Sequence, residues 1–319
     1  MDLVPASPVT ALTRLADQTR AFLEAAKAES TRRAYRADWA HFEAWCREHA
    51  LPPLPAAPET VALYLADLAR THKPGTLRRR LTVINRAHLT AGHLSPATMQ
   101  QPLVSEVLKG IRRTKGTAQA GKRPLMTDQL RAMIEALPPH LQGTRDRALL
   151  LIGFAGGFRR SELAALTVED VSLEKEGLVI ALRRSKTDQE GQGRKVALPY
   201  GGRPATCPVR AYREWLREAA IGAGPIFREI DRHGRVEARA LHKDSIGLIV
   251  KRAAARIGLK PSDYAGHSLR AGLATQAYLN GAGELAIMHQ TGHRSLATVR
   301  KYIRDSTLFR DNPAAKLGL

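Results

Sequence analysis

Six side chains in this 319-residue sequence have the types and the order needed to break a phosphodiester without a metal: Arg159, Lys186, His267, Arg270, His293 and Tyr302. Such a reaction needs a nucleophile, a cationic cradle for two non-bridging oxygens and an acid for the leaving oxygen. Tyrosine can be the nucleophile. Arginine suits the cradle because its planar fork matches phosphate geometry and keeps its charge. Lysine suits the acid, because neighbouring cations ease the loss of its proton. Histidine can take or share a proton near neutral pH. The six lie in short segments: Gly157-Phe-Arg-Arg-Ser-Glu-Leu163, Arg183-Arg-Ser-Lys-Thr187, Gly266-His-Ser-Leu-Arg270, and Thr291-Gly-His-Arg-Ser295 followed by Val299-Arg-Lys-Tyr-Ile-Arg304. Singly they say little. One of seven tyrosines is usually packed in a core, Lys186 could be a solvated strand residue, and the i, i+3 spacing of His267 and Arg270 is common. The ordered set carries the reading. His289 and His293 stand at the i, i+4 spacing that suits zinc, but no glutamate follows the first of them, and no metal is expected.

These segments must be brought together by helices and one hairpin. Residues 178–184 read as a strand, a turn rich in Gly, Asp and Gln follows, and residues 195–199 read as the returning strand, so Lys186 falls just past the first strand. A helix is expected after Thr127, a plausible cap, and a buried helix over 144–155. The remainder reads as mostly helical. In the first third, Ser30 is a plausible cap for a helix running to about His49. Its Tyr35, Trp39, Phe42 and Cys46 form one stripe, read as core rather than as a base-stacking platform. The prolines 52, 53, 55 and 58 end that helix and start another, with Val61, Leu65 and Leu68 on one face. A helix after Gly75 turns Leu77, Leu81 and Ile84 inward. Arg78, Arg79, Arg80 and Arg86 then point elsewhere, as a solvated or a groove-facing surface would. A last helix holds Leu103, Val107 and Ile111. Beyond it the periodicity stops, and the small, polar, basic stretch over 113–123 reads as an extended linker. The expected organisation is therefore 1–112, a linker over 113–123, and 124–319.

Charge narrows the partner. Fifty Lys and Arg against 30 Asp and Glu give +20. Such a surplus repels itself unless a polyanion is the usual partner. Both parts share it: residues 1–123 carry 19 basic and 10 acidic side chains, residues 124–319 carry 31 and 20. That distribution suits a long polyanion touched by both parts. A hydrophobic fraction of 44% predicts a sizeable core. Two cysteines, Cys46 and Cys207, make neither a disulfide framework nor a zinc ribbon. The first ten residues lack a signal peptide's basic region and apolar run, and the apolar run over 148–158 is too short to cross a membrane. An intracellular, soluble protein is expected.

The ordered set resembles the signature of the tyrosine recombinases (phage integrases), and among them the Cre-type recombinases. Arg159 matches the family's first arginine, in a Gly-x-Arg-x-x-Glu-Leu context, and Glu162 the acidic residue that braces the site. Lys186 matches the hairpin lysine, His267 and Arg270 the His-x-x-Arg box, and His293 the fifth position, nine residues before Tyr302. The likeness extends to Trp39-Ala-His-Phe-Glu-Ala-Trp-Cys46 in the first part. There are two departures. Phe158 stands where leucine is common, and Ala271 where histidine is common; neither removes a catalytic atom.

The resemblance implies a mainly α fold with a small β-sheet. A helical, SAM-like core-binding domain and a mixed α/β catalytic domain would clamp double-stranded DNA. It implies a site-specific recombinase that works through a 3′-phosphotyrosyl intermediate on inverted-repeat sites. No cofactor or metal is needed, and the protein would be a homotetramer on DNA and a monomer or weak oligomer when free. No arm-binding domain is evident, which favours a simple core site. The expected surroundings are cytoplasmic, bacterial or phage-encoded and nucleoid-associated. The DNA contacts expected are Arg78, Arg79, Arg80, Arg86, Arg112, Arg113, Lys115, Lys122, Arg123 and Lys243. Base reading is expected around Arg32 to His41, Arg78 to Arg86 and the helix beginning near Asp244. An apolar tail with Leu308, Phe309, Leu317 and Leu319 could dock on a neighbouring protomer. The alternatives are type IB topoisomerase-like relaxation and a non-catalytic DNA-binding regulator.

Overall fold

The computed structural model describes residues 8–26, 28–97, 102–117, 121–183, 193–303, 314 and 317. The chain divides into two compact units, Met1–Ala120 and Gly121–Leu319.

Among its described residues the first unit is helical: α1 Pro8–Ala25, α2 Glu29–Glu48, α3 Pro58–Ala69, α4 Pro74–Thr90 and α5 Leu103–Lys115. Proline opens α3 and α4 at the position where its missing N–H costs nothing. The core joins Phe42, Trp45 and Cys46 of α2 to Val61, Tyr64, Leu65 and Leu68 of α3 and to Leu77, Leu81 and Ile84 of α4. Four details depart from the expectation. Ser30 lies inside the first turn of α2, and Ala28 takes the cap position. On α5 the fully buried residue is Val104, while Leu103 is 41% exposed. Arg113 and Lys115 complete the last turn of α5, which Gly116 ends at φ +71°, so they do not open an extended linker.

The fourth departure is Arg80. It is buried instead of facing a groove, because polar partners surround it. Its Nη1 donates to Tyr64 Oη at 2.9 Å, and its Nε lies 3.6 Å from Asp38 Oδ1. Asp38 is itself 5% exposed and also pairs with Arg79 at 2.9 Å. Removing this carboxylate strands a buried guanidinium. Asp38→Ala is therefore expected to destabilise the first unit by about 3–5 kcal/mol, read as a lower denaturant midpoint.

The second unit carries α6 Thr127–Glu135, α7 Leu141–Ala155, α8 Arg160–Ala165, α9 Pro208–Glu218, α10 Lys243–Arg256, α11 Gly266–Leu279, α12 Glu284–Thr291 and α13 Leu296–Ile303. Thr127 is the first residue of α6 and not its cap; Met126 holds that place, its N–H donating to Gln129 Oε1 at 3.0 Å. β1 Val171–Leu173, β2 Gly177–Leu182 and β3 Arg194–Pro199 form an antiparallel sheet in that order, with Leu182 opposite Arg194. The expected hairpin is thus β2–β3, with β2 ending at Leu182. The strand β1 and a second pair, β4 Arg228–Ile230 and β5 Val236–Ala240, were not foreseen. Most of α7 is enclosed, Leu149, Leu150 and Ile152 included, and it packs on both α9 and α11, so it is the central helix. A smaller cluster of Ala274, Ile287, Val299 and Ile303 binds α11, α12 and α13 together. Among the described residues no helix is long and apolar enough to cross a membrane.

Candidate active site

Five of the six sequence-selected residues, and Glu162, converge where the N-termini of α8 and α11 meet the C-terminus of α12 and the helix α13. The sixth, Lys186, lies outside the described residues.

Arg159 sits just before α8. Its backbone N–H donates to Glu162 Oε2 at 2.9 Å and its Nη1 to Glu162 Oε1 at 2.5 Å, so one buried carboxylate caps the helix and fixes the guanidinium. Its Nη2 donates to the Gly292 carbonyl at 3.3 Å. Arg270 is 1% exposed on α11, and its Nη1 donates to the Gly157 carbonyl at 2.7 Å. Each of the two arginines is thus anchored by a glycine carbonyl. Both glycines adopt left-handed backbone, at φ +57° for Gly157 and +64° for Gly292. A Cβ on Gly157 would lie 2.7 Å from Leu273, and one on Gly292 would lie 2.7 Å from the Nε of Arg194. Alanine would be strained at both by conformation and would displace the side chain behind each glycine. The remaining nitrogen of Arg270, Nη2, is buried and has no hydrogen-bond partner. That is a costly arrangement unless an anion supplies the missing acceptor.

The histidines have distinct settings. Thr291 Oγ1 donates its single proton to the Ile287 carbonyl at 2.6 Å and therefore accepts from His293 Nδ1 at 2.7 Å. The neutral ring then carries its proton on Nδ1, and Nε2 accepts from Arg270 Nε at 3.3 Å. Burial, then Arg270 and Arg159, push the His293 pKa down to about 3. His267, in the first turn of α11, places Nε2 3.0 Å from the Tyr302 hydroxyl. Burial first, then Arg270 and Arg159, lower its pKa as well. Tyr302 projects from α13, its ring centroid 5.5 Å from both imidazoles, and its carbonyl accepts from Thr275 Oγ1 at 2.9 Å. The Tyr302 hydroxyl, the two histidines and the two arginines thus meet within one chain. The zinc spacing of His289 and His293 does not become a ligand pair, because Gly292 ends α12 between them and both His293 ring nitrogens are engaged.

A pH dependence follows. A histidine with a depressed folded pKa binds its proton more readily when unfolded. Its stabilising contribution is complete above pH ~6.5 and is lost as pH falls towards the folded value. For His293 that window runs from 6.5 to about 3. The melting temperature should fall across it, and the His293→Asn variant should show a shallower slope.

Sequence reasoning missed Arg194, which opens β3. Its Nη2 is 3.7 Å from Glu162 Oε2 and its Nη1 donates to the Gln290 carbonyl at 2.8 Å. Strand alternation carried the signal, since Arg194 shares the inward face of β3 with Val196 and Leu198. Thr291, which orients His293, carried no signal in sequence.

The expected DNA contacts divide. Arg78, Arg112 and Lys115 line one groove of about 360 Å³ with Lys73, at the N-terminus of α4. Arg86, Arg113 and Lys243 are exposed, Arg79 pairs with Asp38, and Arg80 is buried. Lys122 and Arg123 bind the catalytic unit itself, through the Ser262 carbonyl and through Asp263 at 3.6 Å.

Three guanidiniums around one carboxylate, with both histidines neutral, leave a local charge near two positive units beside a phenol, the setting of a phosphoryl-transfer site. Comparison with known proteins agrees. The model of the phage integrase family matches residues 123–308. An integrase/recombinase XerD homolog from Selenomonas ruminantium is 41% identical over 303 residues, covering 94% of this chain and 88% of that protein. The Cre recombinase of Escherichia phage P1 is 26% identical over 285 residues, covering 82% and 80%. The XerH site-specific recombinase, solved in a post-cleavage complex with a palindromic difH substrate, superposes with a TM-score of 0.60 at 20% identity, covering 82% of this chain and 71% of that one. The chain belongs to the phage integrase family and is a site-specific tyrosine recombinase.

Proposed function

We propose that this protein cleaves and rejoins double-stranded DNA through a 3′-phosphotyrosyl intermediate, exchanging strands between two inverted-repeat sites. The observation that carries it is the Tyr302 hydroxyl, 3.0 Å from a neutral His267 Nε2 and beside the buried, unpartnered Nη2 of Arg270. An uncoordinated phenol gives up its proton only near pH ~10, so a neighbouring base matters. As the Tyr302 oxygen bonds to phosphorus, its proton passes to His267 Nε2. Two negative charges develop on the non-bridging oxygens, and Arg159 and Arg270 meet them. His293 acts through Arg270, from whose Nε–H its Nε2 accepts a hydrogen bond. The bond from phosphorus to the 5′-oxygen breaks, and Lys186, the match to the family's hairpin lysine, gives that oxygen a proton. The 5′-hydroxyl of a partner strand reverses these steps. Bond energy stays in the phosphotyrosine, so no nucleotide cofactor is consumed.

The two units clamp the DNA, and four active sites on one DNA pair make the working assembly a tetramer. The groove of Lys73, Arg78, Arg112 and Lys115 takes backbone phosphates. Its cations converge at a helix N-terminus, where backbone amides add to the attraction. Arg86, Arg113 and Lys243 remain available to the duplex. Replacing Arg78 and Arg112 together by alanine should weaken binding to all sequences alike. The slope of log affinity against log salt should become shallower by about 2, measured by fluorescence anisotropy.

The deciding experiment is strand joining. Two differently labelled duplexes carry a site selected from a pool of random inverted repeats. Recombinant joints between the labels support the proposal. Relaxation of a supercoiled plasmid without joints identifies topoisomerase-like chemistry instead. Specific binding with neither identifies a regulator.

A further inference from the structure

Arg194 lies against the active site yet takes no part in the steps above. It is held inside the unit at 20% side-chain exposure, with Nε and Nη2 making no hydrogen bond. Its Nη1 donates to the Gln290 carbonyl at 2.8 Å and reaches the His289 carbonyl at 3.5 Å. These are carbonyls from the last turn of α12, where a cation meets the negative end of the helix dipole. On its other side lies Glu162 Oε2, the carboxylate that also fixes Arg159.

We propose that Arg194 is a positioning residue: its guanidinium locks the C-terminus of α12 to Glu162, and that junction sets both cradle arginines. The proposal rests on the recombinase reading. The path is short. Beyond Gln290 the chain closes α12 with Gly292, whose N–H donates to the His289 carbonyl, while the His293 N–H donates to the Met288 carbonyl. The Gly292 carbonyl holds Arg159, and the His293 ring holds Arg270. Gly292 is required here for a second reason. Any Cβ at this position would press on the Arg194 Nε from 2.7 Å, so the glycine lets the guanidinium sit directly behind the turn. Arg194 also opens β3, which ties that strand to the same turn.

The test uses the full chain on selected-site DNA, with Arg194→Met, Arg194→Lys and Gly292→Ala, and follows binding, single-turnover adduct formation and melting. Arg194→Met should bind DNA as the unaltered protein does while forming adduct about 100-fold more slowly, the scale of a small misplacement of reacting groups. Arg194→Lys should recover much of that rate, since an ammonium still caps the carbonyls. Gly292→Ala, which displaces the guanidinium from the other side, should reproduce the slow adduct with binding intact. The effect of Arg194→Met should be less than additive with His293→Ala. Adduct formation at the full rate in Arg194→Met overturns the proposal. So do additive effects, or losses of rate, binding and melting temperature that move together. A readout free of activity is the His293 Nδ1 proton signal in nuclear magnetic resonance. It should be present in the unaltered protein and broadened in Arg194→Met; an unchanged signal counts against the proposal. If the unaltered protein itself forms no adduct on its site, the recombinase reading has failed, and Arg194 is judged on that signal.

Discussion

The Tyr302→Phe variant should bind its DNA site with unchanged affinity and form no covalent adduct. Only one oxygen is lost. Phenylalanine keeps the ring that packs between the two imidazoles, and α13 is held by Val299, Ile303 and the bond from Thr275 to the Tyr302 carbonyl, none of which involves the hydroxyl. The hydroxyl bonds to His267, which is exposed and is therefore freed to solvent rather than buried without a partner. A denaturing gel of nicked, site-bearing DNA separates the outcomes: a protein–DNA band from the unaltered chain, none from the variant. A band of undiminished intensity from Tyr302→Phe would place the nucleophile elsewhere.

Arg270→Met should lower the rate of adduct formation by about 10³-fold or more, since it removes a fixed donor from the developing charge. The same change should leave the melting temperature unchanged or raise it. Burial and the neighbouring Arg159 pull the Arg270 pKa down to about 10. A folded pKa below the unfolded value means that the charge disfavours folding throughout the neutral range. The two hydrogen bonds it makes, to Gly157 and His293, return about 1–3 kcal/mol. Methionine relieves the first and forfeits the second. A clear fall in melting temperature alongside the loss of rate would mean that Arg270 is chiefly structural, and the cradle assignment would have to be revised.

The candidate site was legible in sequence because a reaction constrains residue types in order, and Arg159, His267, Arg270, His293 and Tyr302 do converge. The β2–β3 hairpin and α3 were legible because their apolar periods are clean. What escaped had physical reasons. Arg80 looked like part of an outward arginine run, since nothing in its local spacing announced that Asp38, 42 residues earlier, would bury it. Arg194 was hidden beside Lys195, although strand alternation separates the two. The β4–β5 pair has little apolar alternation, its residues being half-buried or exposed, so it gave no periodic signal. The anchoring of both cradle arginines by backbone carbonyls of left-handed glycines has no side-chain signature at all.

The stretch that enters the catalytic unit has a mechanical meaning. Arg123 N–H donates to the Asp263 carbonyl at 2.9 Å, and Leu125 N–H donates to the Ser268 carbonyl at 3.0 Å. The Leu125 carbonyl packs so tightly on Gly272 that a Cβ there would lie 2.0 Å away. Ser268 stands between His267 and Arg270 in the first turns of α11. A tug on the incoming chain at Gly121 is therefore borne by the turn that carries the base and one of the two cradle cations.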